Sequence, residues 1–457
     1  MADSKKGKVT GLEKASYALY FLGQNIFYML IYMYMNTYFT DVGISTMAVA
    51  VIALIVKVWD AVNDPIFGGL IDKVKFKKGK FVPWLRIAVY IVFASTVMMF
   101  AIPNSLSIGF KIAWAITAYL LWSVGYTLND VPIFGLITTI TDDQNERISL
   151  NAIGRVSAMI AVLIIMVVIP TFRQAIGGWT ATVLVLSVIA VITMVPIGFI
   201  AKERVIPEGK SESVSVKQMF KYLVSNKYLF IFYLAFLISG SFNIASTWGM
   251  YIARICLGNE AIMSITGIAG MVPTIIIGLF VPALCKKVDK FKIYYIATIF
   301  TLIATVAKWI VGYTNVNAYV AMTIVASLPA GFTSILMYMF TPDCAEYGHY
   351  KTGTSAPGIT FATQTFFAKL QSALVSSVGA VVLGMIGFVE GEGAQQIEGF
   401  DRILWNTSNI TPIIGYIIAL VVLFFYKLND HDVQLMAKVN SGEMTREEAE
   451  AQMKNKY

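Results

Sequence analysis

Residues 57–69 read Lys57-Val-Trp-Asp60-Ala-Val-Asn63-Asp64-Pro65-Ile-Phe-Gly68-Gly69 and lie within an apolar run long enough to cross a bilayer. A helix advances about 100° per residue, so Lys57, Asp60 and Asp64, at i, i+3 and i+7, share one face, and Asn63 lies about one turn from Asp60. A carboxylate at the centre of a bilayer costs at least ~2.5–3.5 kcal/mol, so such groups normally face a bundle interior, a water path or a bound ion. We therefore predict a functional site on this helix.

The charges of this segment do not balance. Two acids one turn apart repel each other unless a cation or proton lies between them, and Lys57 can neutralise only one of them. Na⁺ or H⁺ would supply the missing charge. Pro65 removes a backbone donor and frees carbonyl groups that can line a cavity or coordinate a cation. The alternative is that Lys57 neutralises Asp60 and the group only holds helices together.

The composition is that of a polytopic membrane protein. The chain has 457 residues, of which 57% are hydrophobic, and its mean hydropathy is +0.70. The net charge of +8 comes from Lys and Arg in short loops between apolar runs, so it reflects membrane topology and predicts no nucleic-acid partner.

Enzyme and metal signatures are not evident in the sequence. Three widely spaced cysteines indicate neither a disulfide framework nor a zinc site. The chain has two histidines, and we find no Gly-rich phosphate loop and no Ser-His-Asp set, so the sequence predicts neither an enzyme nor a cofactor.

Apolar runs of about 20 residues predict an all-α membrane protein with about twelve transmembrane helices in two six-helix halves. The predicted divisions are an N-terminal half (1–201), a central cytoplasmic loop (202–227), a C-terminal half (228–427) and a cytoplasmic tail (428–457). Lysine clusters precede the first span and follow the second and eighth spans. The positive-inside rule then places both termini in the cytoplasm. No cleavable signal pattern is found.

Other polar residues interrupt the first, fourth and fifth spans. Gln24 and Asn25 lie near the middle of the first, in a segment dense in Tyr and Phe. The fourth span contains Tyr126-Thr127-Leu-Asn129-Asp130-Val-Pro132, and Arg155 in the fifth is the natural partner for Asp130 if the two helices are neighbours. Such a pair is either structural or able to grip a hydroxylated ligand.

The second half carries polar residues near the tenth and eleventh spans. We predict a polar cytoplasmic loop at 343–353, serving gating or structural salt bridges. Thr365 lies on the eleventh span, and Lys369 follows one turn later and is expected to face a cavity. In the tail, Thr445 and Glu448 form a capping box that should open a short, solvated helix.

Three separated motifs resemble those of the glycoside–pentoside–hexuronide:cation symporters, the melibiose permease family within the major facilitators. They are Trp59-Asp60-Ala-Val-Asn63-Asp64-Pro65, the segment 126–132 quoted above, and Glu346-Tyr347-Gly348-His349-Tyr350-Lys351-Thr352-Gly353. The resemblance covers nearly all of the chain. It implies the major facilitator fold and symport of a sugar or glycoside with a monovalent cation across the plasma membrane, by alternating access.

The resemblance also implies which residues bind the two ligands. The positions that match the family's cation site, and would be metal ligands if the ion is Na⁺, are Asp60, Asn63, Asp64 and Thr127. The positions that match its sugar site are Gln24, Asn25, Tyr126, Asp130, Phe134, Arg155, Thr365 and Lys369. The presence of Asn63 and Thr127 favours Na⁺, because H⁺ would need only the acids. Phe134 stands where the melibiose permease has a Trp.

The first span departs from the family pattern. Gln24-Asn25 replaces a Lys-Asp pair whose acid holds galactoside hydroxyls, which argues against melibiose as the substrate. Relatives that carry glucuronides have an amide at the position of Asp130, since a carboxylate there would repel an anionic sugar. Retention of Asp130 therefore favours a neutral pentoside or glucoside over a hexuronide.

Four alternatives remain open at this point. They are a hexuronide or glucuronide symporter of the same family, a lipid transporter of the same fold, a uniporter or sugar sensor without cation coupling, and an intramembrane hydrolase. Polar Asp130, Arg155 and Gln24 argue against the lipid transporter. The hydrolase is the weakest of the four.

Overall fold

The structure is a computed structural model that describes residues 8–74, 76, 79–141, 143–205, 222–353 and 357–457. The side chains of some helical residues, including Asp64, lie outside the described set. The described residues are mostly helical. The long helices are α1 Gly11–Asp41, α2 Thr46–Lys73, α3 Val82–Met99, α4 Ile108–Ile140, α5 Gln144–Ile176, α6 Gly178–Met194, α7 Lys227–Ser241, α8 Ile262–Cys285, α9 Lys290–Val311, α10 Val316–Thr352, α11 Pro357–Met385 and α12 Phe400–Leu423. Two tail helices follow, α13 Asp430–Asn440 and α14 Arg446–Gln452.

The helices have the lengths and composition of membrane spans. Nine of those in the described ranges are long and apolar enough to cross a bilayer. Helices α1, α2 and α7 are not among these nine. Of these three, α2 and α7 contain the shorter apolar stretches Thr46–Lys57 and Lys227–Ser241. This arrangement is consistent with the twelve-helix fold that the sequence predicts.

The chain divides into two compact units. Unit 1 comprises residues 1–210 and 380–398, and unit 2 comprises residues 211–379 and 399–457. In unit 1, α1 packs against α5 and α6, while α2 and α3 pack against α4. Gly23 permits the close approach of α1 to α6, because a Cβ atom there would lie 2.5 Å from the Ala190 carbonyl oxygen. The neighbouring Gln24 is thereby held in the interior of unit 1, with 1% of its surface exposed.

The segment 380–398 belongs to unit 1 because polar contacts tie it there. A Glu390 carboxylate oxygen accepts from the Thr46 amide at 2.9 Å, close to the start of α2. Glu392 forms an ion pair with Arg173 of α5 at 2.6 Å, and the Gly391 amide donates to the Thr40 carbonyl at 2.9 Å. The Arg173 guanidinium also lies over the Trp179 ring, 4.6 Å from its centroid.

In unit 2, α10 packs against α8 and α9, and α12 packs against α7 and α9. The prediction of a polar loop at 343–353 is wrong, because α10 continues to Thr352 and ends at Gly353, whose φ of +70° suits glycine. The polar residues are accommodated by tertiary contacts. Asp343 forms an ion pair with Lys290 of α9 at 2.8 Å, in keeping with the structural role that the sequence allowed.

The tail forms the capped helix that Thr445 and Glu448 predict, but it is not a solvated appendage. The Tyr457 ring packs edge-on against Tyr228 of α7, with 5.8 Å between ring centroids. Asn440 donates to the Glu346 carboxylate at 2.8 Å, and the Tyr350 hydroxyl donates to Glu450 at 2.9 Å. Aromatic packing and hydrogen bonds therefore dock the tail on unit 2.

Asp432 is the centre of this docking. Its side chain is fully buried and accepts from the Lys454 amide at 2.9 Å and the Tyr457 hydroxyl at 2.8 Å. Burial alone would raise the pKa of Asp432, but hydrogen bonds from the Lys454 amide, His431, Tyr457 and Asn429 outweigh it, so the pKa is held below its ordinary value.

We predict that acid releases the tail. A depressed carboxylate pKa stabilises the docked state at all pH values above the ordinary value of about 3.9, and this stabilisation is lost as the pH falls through the lower folded pKa. Asp432→Ala should release the tail already at neutral pH, measured as faster limited proteolysis within residues 430–457. Glu447→Gln is the matched control, since Glu447 is exposed on the same tail. Equal cleavage of both variants would contradict this role for Asp432.

Candidate functional site

A polar cluster joins α2 to α4 inside unit 1. The Asn63 side-chain amide donates to the Thr127 hydroxyl at 2.8 Å and lies 3.3 Å from the carbonyl and hydroxyl oxygens of Ser123. The Ser123 hydroxyl donates in turn to Asp60 Oδ1. Asp60 and Asn63 are three residues apart on α2, and Ser123 and Thr127 are four apart on α4, so each pair shares one face of its helix. We call these four residues the α2–α4 cluster.

The α2–α4 cluster has an unused acceptor. Asn63 is completely buried, and its Oδ1 atom has no hydrogen-bond partner among the described residues. A buried amide oxygen without a donor normally costs about 1–3 kcal/mol, so its retention requires an explanation. Carboxylate, amide and hydroxyl oxygens are the ligands that a hard cation prefers. The oxygens of Asp60, Asn63 and Thr127 are therefore of the type that could hold a hard cation.

Lys57 forms an ion pair with Asp60, with 3.3 Å between Nζ and Oδ2. Both side chains are about 30% exposed, so the pair lies at the edge of the buried cluster. The Lys57–Asp60 contact, which the purely structural alternative for this group requires, is thus present. The pair does not explain why Asn63 Oδ1 has no partner among the residues that the structure describes. The fourth predicted cation ligand, Asp64, lies on α2, and its side chain is outside the described residues.

A second polar contact joins α1 to α4. Gln24 Nε2 donates to Asp130 Oδ1 at 2.8 Å and lies 3.5 Å from the Tyr126 hydroxyl oxygen. The Oδ1 atom of Asp130 therefore has a neutral amide partner. Gln24 Oε1 is buried and has no hydrogen-bond partner among the described residues, so this group also retains an acceptor.

Aromatic rings surround this contact. Tyr126 is stacked on Trp122, with 4.8 Å between ring centroids and 16° between planes, and lies 5.5 Å from Tyr28. Tyr28 is stacked in turn on Tyr32 at 5.9 Å. An array of flat apolar faces beside hydrogen-bonding groups is suited to a ligand with both C–H faces and hydroxyl edges.

Arg155 is not placed against Asp130. It is exposed on α5, and no ion pair joins the two side chains, both of which are described. The reason is that α5 packs chiefly along α1: Gly154 lies against Phe21, where a Cβ atom would be 3.2 Å from the ring. Phe134 of α4 meets the same Phe21 ring edge-on at 5.5 Å and is half exposed.

The remaining predicted sugar positions are distributed differently. The Asn25 amide donates to the Phe21 carbonyl of its own helix at 2.8 Å. Thr365 and Lys369 are exposed on α11, in unit 2, four residues apart and so on one helical face.

Sequence reasoning missed Ser123, Trp122 and Tyr28. Ser123 could have been found, because it precedes Thr127 by four residues and must share its face. The aromatic stack had no comparable signal, since rings at helical spacing are more often packing residues.

A sequence profile of the family described as "MFS/sugar transport protein" matches residues 16–430. The chain belongs to this family. It is a membrane transporter and not an enzyme, and the resemblance to the glycoside–pentoside–hexuronide:cation symporters is confirmed at family level.

Two relatives illustrate the range of substrates. The chain is 26% identical to an isoprimeverose transporter of Lactiplantibacillus pentosus over 446 residues, which cover 94% of this chain and 92% of that one. It is 23% identical to a glucuronide carrier protein homolog of Escherichia coli over 426 residues, with 91% and 92% coverage. Both are similar over nearly their whole length.

The fold is also that of solved transporters. The structure of a nucleoside transporter superposes with a TM-score of 0.65 at 15% identity, covering 91% of this chain and 99% of that one. At this identity the match establishes the fold alone.

We predict that Ser123→Ala weakens cation activation of transport. The substitution removes the hydroxyl that donates to the half-buried Asp60 carboxylate. A hydrogen bond to a charged group is worth about 1.5–3 kcal/mol. The cation concentration for half-maximal sugar uptake should rise roughly 10- to 100-fold. Ser95→Ala is the matched control, because Ser95 is equally buried but donates to the Ile91 carbonyl of its own helix at 2.7 Å. An unchanged cation requirement in Ser123→Ala would exclude the cluster as the ion site.

Proposed function

We propose that this chain is a cation-coupled symporter of an uncharged sugar or glycoside, with Na⁺ favoured as the coupling ion and H⁺ possible. The single observation that supports it most is the buried Asn63 Oδ1 atom, which has no donor among the described residues and lies in the cluster with Asp60, Ser123 and Thr127. The ion would be transported together with the sugar and is a substrate of the protein. It would bind to oxygens of Asp60, Asn63 and Thr127, with Asp64 as the fourth ligand that the family resemblance implies.

Helix α4 provides the physical link between ion and sugar. Ser123 and Thr127 contact α2, while Tyr126 and Asp130, three residues beyond each, contact Gln24 of α1. A cation that draws Asp60 and Asn63 toward Thr127 alters the position of α4, and Asp130 moves with it. Each ligand then raises the affinity of the other by the same factor, as thermodynamic linkage requires. Rocking of the two halves completes alternating access.

The polar group at Asp130 supports a neutral sugar. The carboxylate accepts from an uncharged amide, so a sugar hydroxyl can compete for the same oxygen, whereas an anionic sugar would meet like charge. The exposed Arg155 and Lys369 leave hexuronide or glucuronide transport as the alternative, and the glucuronide carrier homolog is a relative of similar identity. A lipid transporter of the same fold is the less favoured possibility, given the polar Gln24–Asp130 contact.

We further propose that the protein is in the cell membrane with both termini in the cytoplasm. The support is the distribution of lysines, which are concentrated before the first span and after the second and eighth spans.

We predict that Asp60→Asn and Asp64→Asn each abolish accumulation of sugar against its gradient. Each substitution removes a negative charge that the coupling cation must neutralise, so downhill sugar entry can persist but is no longer driven by the ion gradient. The measurement compares initial exchange with steady-state accumulation in membrane vesicles. Asp41→Asn is a suitable control, because Asp41 ends α1 away from the cluster and accepts from Trp179 at 2.8 Å. Continued accumulation in Asp64→Asn would refute this coupling scheme.

We predict that Asp130→Asn relaxes the discrimination between neutral and anionic sugars. The wild-type protein should take up a neutral glucoside and exclude the corresponding glucuronide. Repulsion between the Asp130 carboxylate and a glucuronide carboxylate at close range should lower the affinity at least about tenfold. The variant should bind the neutral sugar more weakly, and the ratio of neutral-glucoside uptake to glucuronide uptake should be smaller than in the wild-type protein. Competition uptake assays with methyl glucoside and methyl glucuronide measure it. A wild-type preference for the glucuronide would establish the alternative substrate class.

A further inference from the structure

Unit 2 contains a polar cavity of about 370 Å³ that the proposed transport site does not use. It lies among α7, α9, α10, α11 and α12, all within unit 2. Its polar lining includes Ser239, Asn243, Thr298, Thr301, Gln371 and Tyr416. We call it the unit 2 cavity. None of the described residues that line it carries a formal charge at neutral pH.

Both hydrogen-bond donors and hydrogen-bond acceptors line the unit 2 cavity. The Ser239, Thr298 and Thr301 hydroxyls donate to carbonyls of their own helices at 3.1, 2.8 and 2.9 Å, so their lone pairs remain available as acceptors. The Asn243 amide and the Tyr416 phenol form no side-chain hydrogen bond with any described residue, and both are able to donate.

A break in a helix lies at the same place. Helix α7 ends at Ser241, a 3₁₀ turn follows at Ile244–Thr247, and the segment Ile252–Cys256 is π-helical. Non-helical backbone at membrane depth is tolerated where it is buried in protein or lines a polar cavity. Asn243 lies in this break and lines the cavity. Broken helices of this type are found at the binding sites of transporters.

Gln371 forms one wall by close packing. Its amide donates to the Phe236 carbonyl at 2.5 Å, and its side chain occupies the space that a Cβ atom on Gly240 would need. Glycine at 240 thus lets a polar side chain of α11 lie against α7 at the edge of the cavity.

The volume and chemistry indicate a class of ligand. At about 30 Å³ per molecule, the cavity would hold on the order of ten waters, far more than the isolated waters that satisfy single buried groups. Its volume lies in the range of small-molecule pockets, roughly 300–1,000 Å³. The lining offers donors and acceptors without charge, which matches hydroxyl groups because each is both a donor and an acceptor.

We propose that the unit 2 cavity is a second binding site, specific for an uncharged sugar ring. This goes beyond the proposed symport, because the site lies wholly within unit 2 and shares no residue with the α2–α4 cluster or the Gln24–Asp130 contact.

Protection of an introduced cysteine tests the proposal. Thr298→Cys is placed in the full-length chain with Cys256, Cys285 and Cys344 replaced by alanine, and its reaction with a small neutral thiol reagent is timed. Methyl β-glucoside, at about ten times its dissociation constant, should slow the reaction roughly tenfold. Sodium glucuronate should have no such effect. Thr305→Cys on the same helix is the control, since Thr305 does not line the cavity.

Further variants separate this site from the transport site. Protection should persist in an Asp130→Asn background, where uptake is impaired, and should be lost when Tyr416→Phe or Asn243→Leu is added. Uptake is measured in the same vesicles, so failure of transport and failure of cavity binding are scored independently. The proposal is overturned if the sugar leaves the Thr298→Cys rate unchanged, if it slows Thr305→Cys equally, if the cysteine is unreactive, or if protection disappears with Asp130→Asn alone.

Discussion

Hydrogen bonds between α2 and α4 fix the geometry on which the site depends. A polar group in an apolar bundle is costly unless it is paired, because the low local dielectric strengthens each hydrogen bond and penalises each one that is missing. Asn63 is fully buried and pairs with Thr127 and Ser123, so α2 cannot slide or rotate against α4 without breaking these contacts. The same contacts hold Asp60 beside Ser123. A cluster that sets helix register for structural reasons is thereby also a set of oriented oxygens.

Helix α4 connects two chemically different groups, the α2–α4 cluster and the Gln24–Asp130 contact. Its residues at positions 123 and 127 face α2, and those at 126 and 130 face Gln24 of α1. Because a helix moves as a stiff body over one turn, a change in one contact is felt at the other. In the proposed scheme, the cation and the sugar therefore need not touch each other for their binding to be coupled. Lys57 forms an ion pair with one oxygen of Asp60, and this pair would keep the carboxylate neutralised in the absence of the proposed coupling ion.

Local patterns predicted the elements well, and tertiary partners account for the differences. Hydropathy predicted the helical membrane fold, and the resemblance of the three motifs predicted the family. The Thr445–Glu448 capping box appears as expected. The pairing of Asp130 could not be predicted, because it depends on α5 packing along α1, and this leaves Gln24 as its neighbour.

The residues 343–353 were expected to form a loop because their charges suggest water, yet Lys290 neutralises Asp343 and the helix continues. The tail was expected to be solvated because it is hydrophilic, but its final residue, Tyr457, packs on α7. In each case the deciding contact is with a residue distant in sequence, which no local pattern contains.

Reciprocal linkage between ion binding and sugar binding in the purified protein is the most direct test of coupling through the α2–α4 cluster. Calorimetry would give the dissociation constant of a neutral glycoside in Na⁺ and in choline, and that of Na⁺ with and without the glycoside, at two pH values. If the α2–α4 cluster couples the two ligands, Na⁺ will tighten sugar binding and the sugar will tighten Na⁺ binding by the same factor. A sugar affinity that changes with pH but not with Na⁺ would assign the coupling to protons. Sugar affinity indifferent to both ions would contradict the coupling of the α2–α4 cluster to the sugar.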